Sequence, residues 1–109
     1  MKSFHAHIYY TPESRPAAIM LHSQIARAGL PLLYFGKLID RPIGPHPLPM
    51  FEVDFTETVA PQLESLLHHY RSGLSILIHE VTGRDTRDHS DGARWLGEKL
   101  PLDFSVFET

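Results

Sequence analysis

The tightest constraint on this chain is the order in which two hydrophobic periods follow one another. "FHAHIYY" (4–10) has the two-residue alternation and the aromatic, β-branched content of a strand, and it stops at Thr11-Pro12. In "SRPAAIMLHSQIARAG" the spacing changes. Ala18, Leu21, Ile25 and Ala28 recur at helical intervals, with Ser14 and Pro16 at the entrance and Gly29 as the stop. "PLLYFGKLI" (31–39) predicts a second strand, and "DRPIGPHPLP" (40–49) a connection whose four prolines exclude regular structure. "MFEVDF" (50–55) alternates again. Residues 58–72 return to the helical period through Val59, Leu63, Leu66, Leu67 and Tyr70, with Gly73 at the end, and "LSILIHE" (74–80) reads as a fourth strand. The remainder predicts a polar loop, a short helical piece around "DGARWLG" and a last extended segment, "DFSVF".

The order β-α-β-β-α-β is that of an α+β, ferredoxin-like sandwich, here with a C-terminal extension. Both helices then lie on one face of the sheet, and the first and fourth strands sit side by side in its middle. The 109 residues suit a single domain spanning 1–109, and a chain of that size buries roughly two-thirds of its unfolded surface. No internal repeat or linker interrupts it.

Strand parity carries the chemical content. Phe4, Ala6, Ile8 and Tyr10 share one side of the first strand, and His5, His7 and Tyr9 the other. On the fourth strand Leu74, Ile76 and Ile78 belong to the helix side, so Ser75, Leu77 and His79 point away from it; Glu52 and Asp54 do the same on the third. The face without helices, expected to be uncovered, thus gathers imidazoles and carboxylates. Eight histidines are the one compositional excess, and imidazole is the commonest protein metal ligand. Two or three imidazoles with a carboxylate suit a divalent ion that keeps open coordination positions. A loop histidine such as His46 can fold over the sheet edge toward them. The plainer alternative is a set of hydrogen-bonded surface histidines.

Other features narrow the field. His68, His69 and His22 fall on helices away from the apolar stripes and are expected to be solvated. "RDHSDG" sets His89 between aspartates that would either make turns and caps or keep the imidazole oriented and basic, as a general acid/base requires. No cysteine is present, so there is neither a disulfide nor a thiolate ligand, which agrees with the expected cytoplasmic setting. "MKSFHAHIYY" lacks the apolar run of a signal peptide, and no stretch reaches the length of a membrane span. A formal charge of −3 argues against nucleic acid as a partner.

Taken together, "FHAHIYY", "GPHPLPMFEVDF" and "ILIHEVTGRDTRDHSDGARWLG" resemble the DOPA 4,5-dioxygenase family, in matching order and over nearly the whole chain. The resemblance implies a ferredoxin-like homodimer that uses iron(II), with zinc or another divalent metal able to occupy the site. It implies extradiol ring opening of a catechol, such as L-DOPA or a related catecholic acid, by dioxygen. Carried over by position, it assigns the metal to His7, His46 and His79, with Glu52 or His5 as a fourth ligand or as a partner behind one. His89 becomes the proton carrier. Tyr9 and Trp95 are then candidates for packing on the substrate ring, and Arg84, Arg87 or Arg94 for holding a carboxylate. Two competing readings use the same histidines: a non-catalytic small-molecule or metal-binding dimer, and a zinc-dependent hydrolase or isomerase.

Overall fold

The computed structural model describes residues 1–107. The strands are β1 (Ser3–Tyr9), β2 (Tyr34–Phe35), β3 (Met50–Thr56), β4 (Ile76–Glu80) and β5 (Ala93–Leu96). The helices are α1 (Arg15–Ala28), α2 (Ala60–Tyr70) and the single turn α3 (Asp85–Asp88). The sheet order is β2-β3-β1-β4-β5, with every neighbouring pair antiparallel. The first four strands form the ferredoxin-like arrangement, and the C-terminal extension adds a fifth at the free edge of β4.

The helix face buries what the two periods demand. Ala18, Leu21 and Ile25 of α1 and Leu63 and Leu67 of α2 pack on Ala6, Ile8, Phe51, Val53, Phe55, Ile76 and Ile78 of the sheet. Each Val, Leu, Ile and Phe among them contributes roughly 1.5–3 kcal/mol on leaving water. α1 begins at a proline in its first turn and ends at Gly29, whose φ of 65° is the left-handed value a glycine accepts without cost.

Four expectations change in three dimensions. The second strand shrinks to Tyr34–Phe35, followed by a lone bridge from Ile39 to Met50. The residues from 35 to 39 face the shorter run from 53 to 50, so this edge carries one extra residue and bulges. "DGARWLG" is not helical. Ala93–Leu96 completes the β4 edge in register from His79↔Ala93 to Ile76↔Leu96, which satisfies backbone groups that β4 would otherwise leave open. The helical turn lies just upstream, at Asp85–Asp88. "DFSVF" forms a 3₁₀ turn at Phe104–Phe107 rather than an extended segment.

The fourth change matters most for function, because the face without helices is not bare. Tyr9, Met50 and Leu77 form a second buried cluster there, roofed by Ile39, by Ile43 and Leu48 from the proline-rich connection and by Trp95, Leu100 and Leu102 from the C-terminal extension. The prolines forbid a strand, and the irregular chain they leave folds over the sheet. No helix among the described residues is long and apolar enough to cross a membrane.

Candidate functional site

The same face carries imidazoles drawn from four separate segments. β1 contributes His5 and His7, β4 contributes His79, the proline-rich connection His46, and the residue after α3 His89. His5 stands directly opposite His79 in the β1–β4 register, and His7 opposite Glu52 in the β1–β3 register. His7, His46 and His79 are buried, at 2%, 7% and 3% exposure, although histidine is usually exposed at least in part. His7 is the centre of the group. Its ring lies 4.3 Å from that of His46, 5.3 Å from that of His79 and 5.9 Å from that of His89, while His89 and His79 are 4.2 Å apart.

Which nitrogen faces inward is decided by what the other one does. Nδ1 of His79 lies 3.0 Å from the carbonyl of Glu80, and Nδ1 of His89 lies 2.8 Å from the carbonyl of Asp85. A carbonyl can only accept, so each Nδ1 carries the proton and each Nε2 keeps its lone pair. His46 Nδ1 is 2.7 Å from the Tyr9 hydroxyl; when it donates there, its Nε2 is free as well. Nε2 of His7 approaches Nε2 of His79 to 3.1 Å, and Nδ1 of His7 is buried with no hydrogen-bond partner, its nearest carboxylate oxygen being Glu52 Oε1 at 3.6 Å.

The tautomer of His7 decides what this contact is: with the proton on Nε2 it is a hydrogen bond donated to His79 Nε2, and with the proton on Nδ1 it is a pair of facing lone pairs that suits a shared cation. With the His7 proton on Nδ1 toward Glu52, two lone pairs confront each other at Nε2, and a cation between them removes the conflict. An imidazole that ligates through one nitrogen while the other is held by a carbonyl or carboxylate is the usual metal-binding pattern. His7 belongs to two sets whose ligand atoms lie within 4.8 Å of one another, one with His5 and His79 and one with His46 and His89. His46 and His79, expected to share an ion with His7, thus fall in different sets, and His89 stands as close to His7 and His46 as a ligand would. His5, Glu52 and Asp54 form a third set, with His5 Nε2 3.3 Å from Asp54 and Nδ1 3.8 Å from Glu52.

The electrostatics favour neutral, ligating imidazoles. Burial and then the neighbouring imidazole His89 push His46 down to about 4, and burial takes His79 to about 4 as well. His7 is driven down first by burial and then by His46 and His79. Burial, with Asp54 alongside, pushes the Glu52 carboxyl up to about 8. The metal-free protein is therefore expected to lose stability as pH falls from 6.5 toward about 4. In that window the unfolded chain takes up imidazole protons that the folded chain refuses, so acid favours unfolding. Thermal melts of metal-free protein across the window check this, and a flat melting temperature would contradict the buried, neutral assignment.

Several expected roles land elsewhere. Tyr9 is 1% exposed with its hydroxyl on His46, so it positions a histidine instead of packing on a substrate. Trp95 stacks on Tyr9 at 5.8 Å and lines a cavity of about 260 Å³ that His89 also lines. Arg84 is exposed and precedes α3, Arg94 pairs with Glu64, and neither they nor Arg87 line that cavity; its cation is Lys99, which the sequence pattern did not single out. Neither neighbouring aspartate orients His89. Asp88 is buried and accepts from the Thr82 amide at 2.8 Å and the Thr82 hydroxyl at 2.5 Å; burial would raise its carboxyl, yet these bonds hold it below its usual range. His22 is not solvated. It stacks on Phe35 at 4.2 Å and bonds the carbonyl of Gly36, whereas His68 and His69 are exposed as expected. The ring of Phe107, 4.8 Å from that of His89, is a further neighbour with no local sequence signal.

Fold and site together define a histidine-lined ferredoxin-like domain with a small cavity beside its imidazoles. The chain belongs to the Dopa 4,5-dioxygenase family, which it matches over residues 4–106. It is 34% identical to an uncharacterized 21.2 kDa protein of Botryotinia fuckeliana, over 95% of this chain and 62% of that protein. It is 31% identical to the DOPA 4,5-dioxygenase of Amanita muscaria, over 96% of this chain and 49% of that one. The chain thus spans about half to three-fifths of the length of these curated relatives. A crystal structure of a candidate dioxygenase from Nostoc punctiforme superposes with a TM-score of 0.91 at 34% identity, covering 98% of this chain and 91% of that one.

Proposed function

We propose that this protein is a metal-dependent extradiol dioxygenase that opens the ring of a catechol. The observation that carries the reading is the meeting of His7 and His79 through their Nε2 atoms at 3.1 Å, in a buried and neutral imidazole cluster. Family membership supports the reaction class. His7, at the centre, would hold iron(II) in one of its two ligand sets, with His79 and His5 or with His46 and His89. When bound, such an ion supplies open positions for catechol and dioxygen and a path for electron density between them. The reaction adds both oxygen atoms of dioxygen across the broken ring bond and yields a muconic semialdehyde, with no other oxidant.

The residues of the chain do the positioning and the proton transfer. Tyr9 fixes His46, the Glu80 carbonyl fixes His79, and Glu52 stands behind His7. Leu48, Leu100 and Leu102 pack on the cluster that contains Tyr9, whose hydroxyl meets His46. His89, with Nδ1–H tied to Asp85 and Nε2 free, takes a proton from a catechol hydroxyl in the adjoining cavity and returns it later in the cycle. The test is anaerobic loading with iron(II), then air and a panel of catechols, followed by oxygen uptake and the yellow semialdehyde absorbance. Uptake with iron but not with zinc is expected. Catechol binding without oxygen uptake would favour a non-catalytic binding module.

A further inference from the structure

Glu52 and Asp54 of the third ligand set line a cavity other than the one beside His89. It holds about 310 Å³ at the bulged β2 edge, among Tyr34, Lys37, Ile39 and Ile43, and no histidine lines it. The two carboxylates lie two residues apart on β3 and so share a side, and Asp54 stands opposite His5 in the β1–β3 register. One ring nitrogen of His5 is 3.3 Å from Asp54 and the other is 3.8 Å from Glu52. A ligand atom of each residue lies within 4.8 Å of the other two.

Two carboxylates at one place repel each other unless a cation lies between them. Among the described residues no Lys or Arg pairs with either one, Lys37 included, and only the rings of His5 and His7 come within ion-pair distance. Two atoms at this place are also buried without a partner. Oδ1 of Asp54 accepts no hydrogen bond, and Nδ1 of His7, on a side chain 3% exposed, faces Glu52 Oε1 at 3.6 Å without bonding it. A buried charged acceptor left unpaired is costlier than a neutral one. A dication there satisfies Asp54, relieves its repulsion with Glu52 and fixes the carboxylate that stands toward His7.

We infer that Glu52, Asp54 and one ring nitrogen of His5 form a second divalent-cation site, separate from the imidazole centre and reached through the cavity at the β2 edge. Two carboxylate oxygens beside one imidazole suit manganese(II) better than the ions that seek nitrogen and sulfur. The cavity leaves room for water to complete the coordination of such an ion. The site does not depend on the ring-opening reading, because its ligands would hold the cation whether or not the imidazole centre is catalytic.

Manganese(II) is the probe, since it is the weakest binder of the divalent first-row series and does not displace iron from imidazoles. The full chain is loaded anaerobically with about one equivalent of iron(II), desalted and titrated with manganese(II), and electron paramagnetic resonance reads the unbound ion. About one manganese ion per chain should be taken up beside the iron. Asp54→Asn should weaken that uptake by at least about tenfold, with iron content and thermal melt unchanged. His79→Ala, which disables the imidazole centre, should keep its manganese. No manganese bound beside the iron overturns the inference, as does equal uptake by Asp54→Asn. Manganese lost in His79→Ala overturns it too, since one shared centre would then explain both ions. Manganese uptake by a protein that retains no iron sinks the ring-opening reading and spares this site.

Discussion

Replacing His79 with alanine is expected to abolish iron retention and ring-opening activity while leaving the fold in place. The lost imidazole is one of the two whose nitrogens meet at 3.1 Å, and its other nitrogen is already committed to the Glu80 carbonyl. Loss of an outer partner of a metal ligand typically costs ~10–100-fold in affinity, and loss of a ligand itself should exceed about 100-fold. The fold survives because the main core lies on the opposite, helix-covered face, which the substitution does not reach. A stability cost of about 1–3 kcal/mol covers the vacated space and the lost hydrogen bond. Metal analysis after anaerobic loading and desalting, paired with a thermal melt, reads both quantities. Glu52→Gln serves as the graded comparison: Glu52 lies 3.6 Å from His7 Nδ1 without a hydrogen bond, so its loss of affinity should stay well below that of His79→Ala. Full iron and full activity in His79→Ala would remove the metal from this position altogether.

The second large effect is expected at His89, and it has the opposite signature. His89→Ala should retain iron but turn over catechol at least about 100-fold more slowly, the range for a lost general acid/base. The assignment rests on placement. His89 is the half-buried imidazole that lines the cavity, whereas His7, His46 and His79 are buried and do not line it. Its Nδ1 is held by the Asp85 carbonyl, which leaves Nε2 as the base. Because its ligand atom also lies within 4.8 Å of those of His7 and His46, the metal content of the variant is the deciding measurement. Iron lost together with activity would make His89 a ligand and leave the proton transfer to another group.

Much of this architecture is legible in the one-dimensional pattern because it follows from local backbone geometry. A strand alternates its side chains whatever surrounds it, so His5, His7, His79, Glu52 and Asp54 had to share a face once the helical stripes claimed the other. The ferredoxin-like order follows from the succession of periods, and the strand neighbours it implies are those observed. The segments that read wrongly are those where tertiary pairing outweighs local preference. Ala93–Leu96 is short enough to be helix or strand on its own, and the open edge of β4 decides the matter. Residues 31–39 have strand composition, yet at a bulged edge only Tyr34 and Phe35 keep a continuous ladder.

The sequence by itself therefore determined which side chains face away from the helices, and that those side chains are rich in metal-binding groups. Only the tertiary structure decided that this face is roofed, that burial keeps its imidazoles neutral, and that Tyr9 meets His46 while Lys99 and Asp91 line the cavity beside His89. The physical reason is range. Facing is a property of neighbouring residues on one strand, whereas burial and the choice of ligating nitrogen depend on loops and carbonyls brought together from distant parts of the chain, where no period records them.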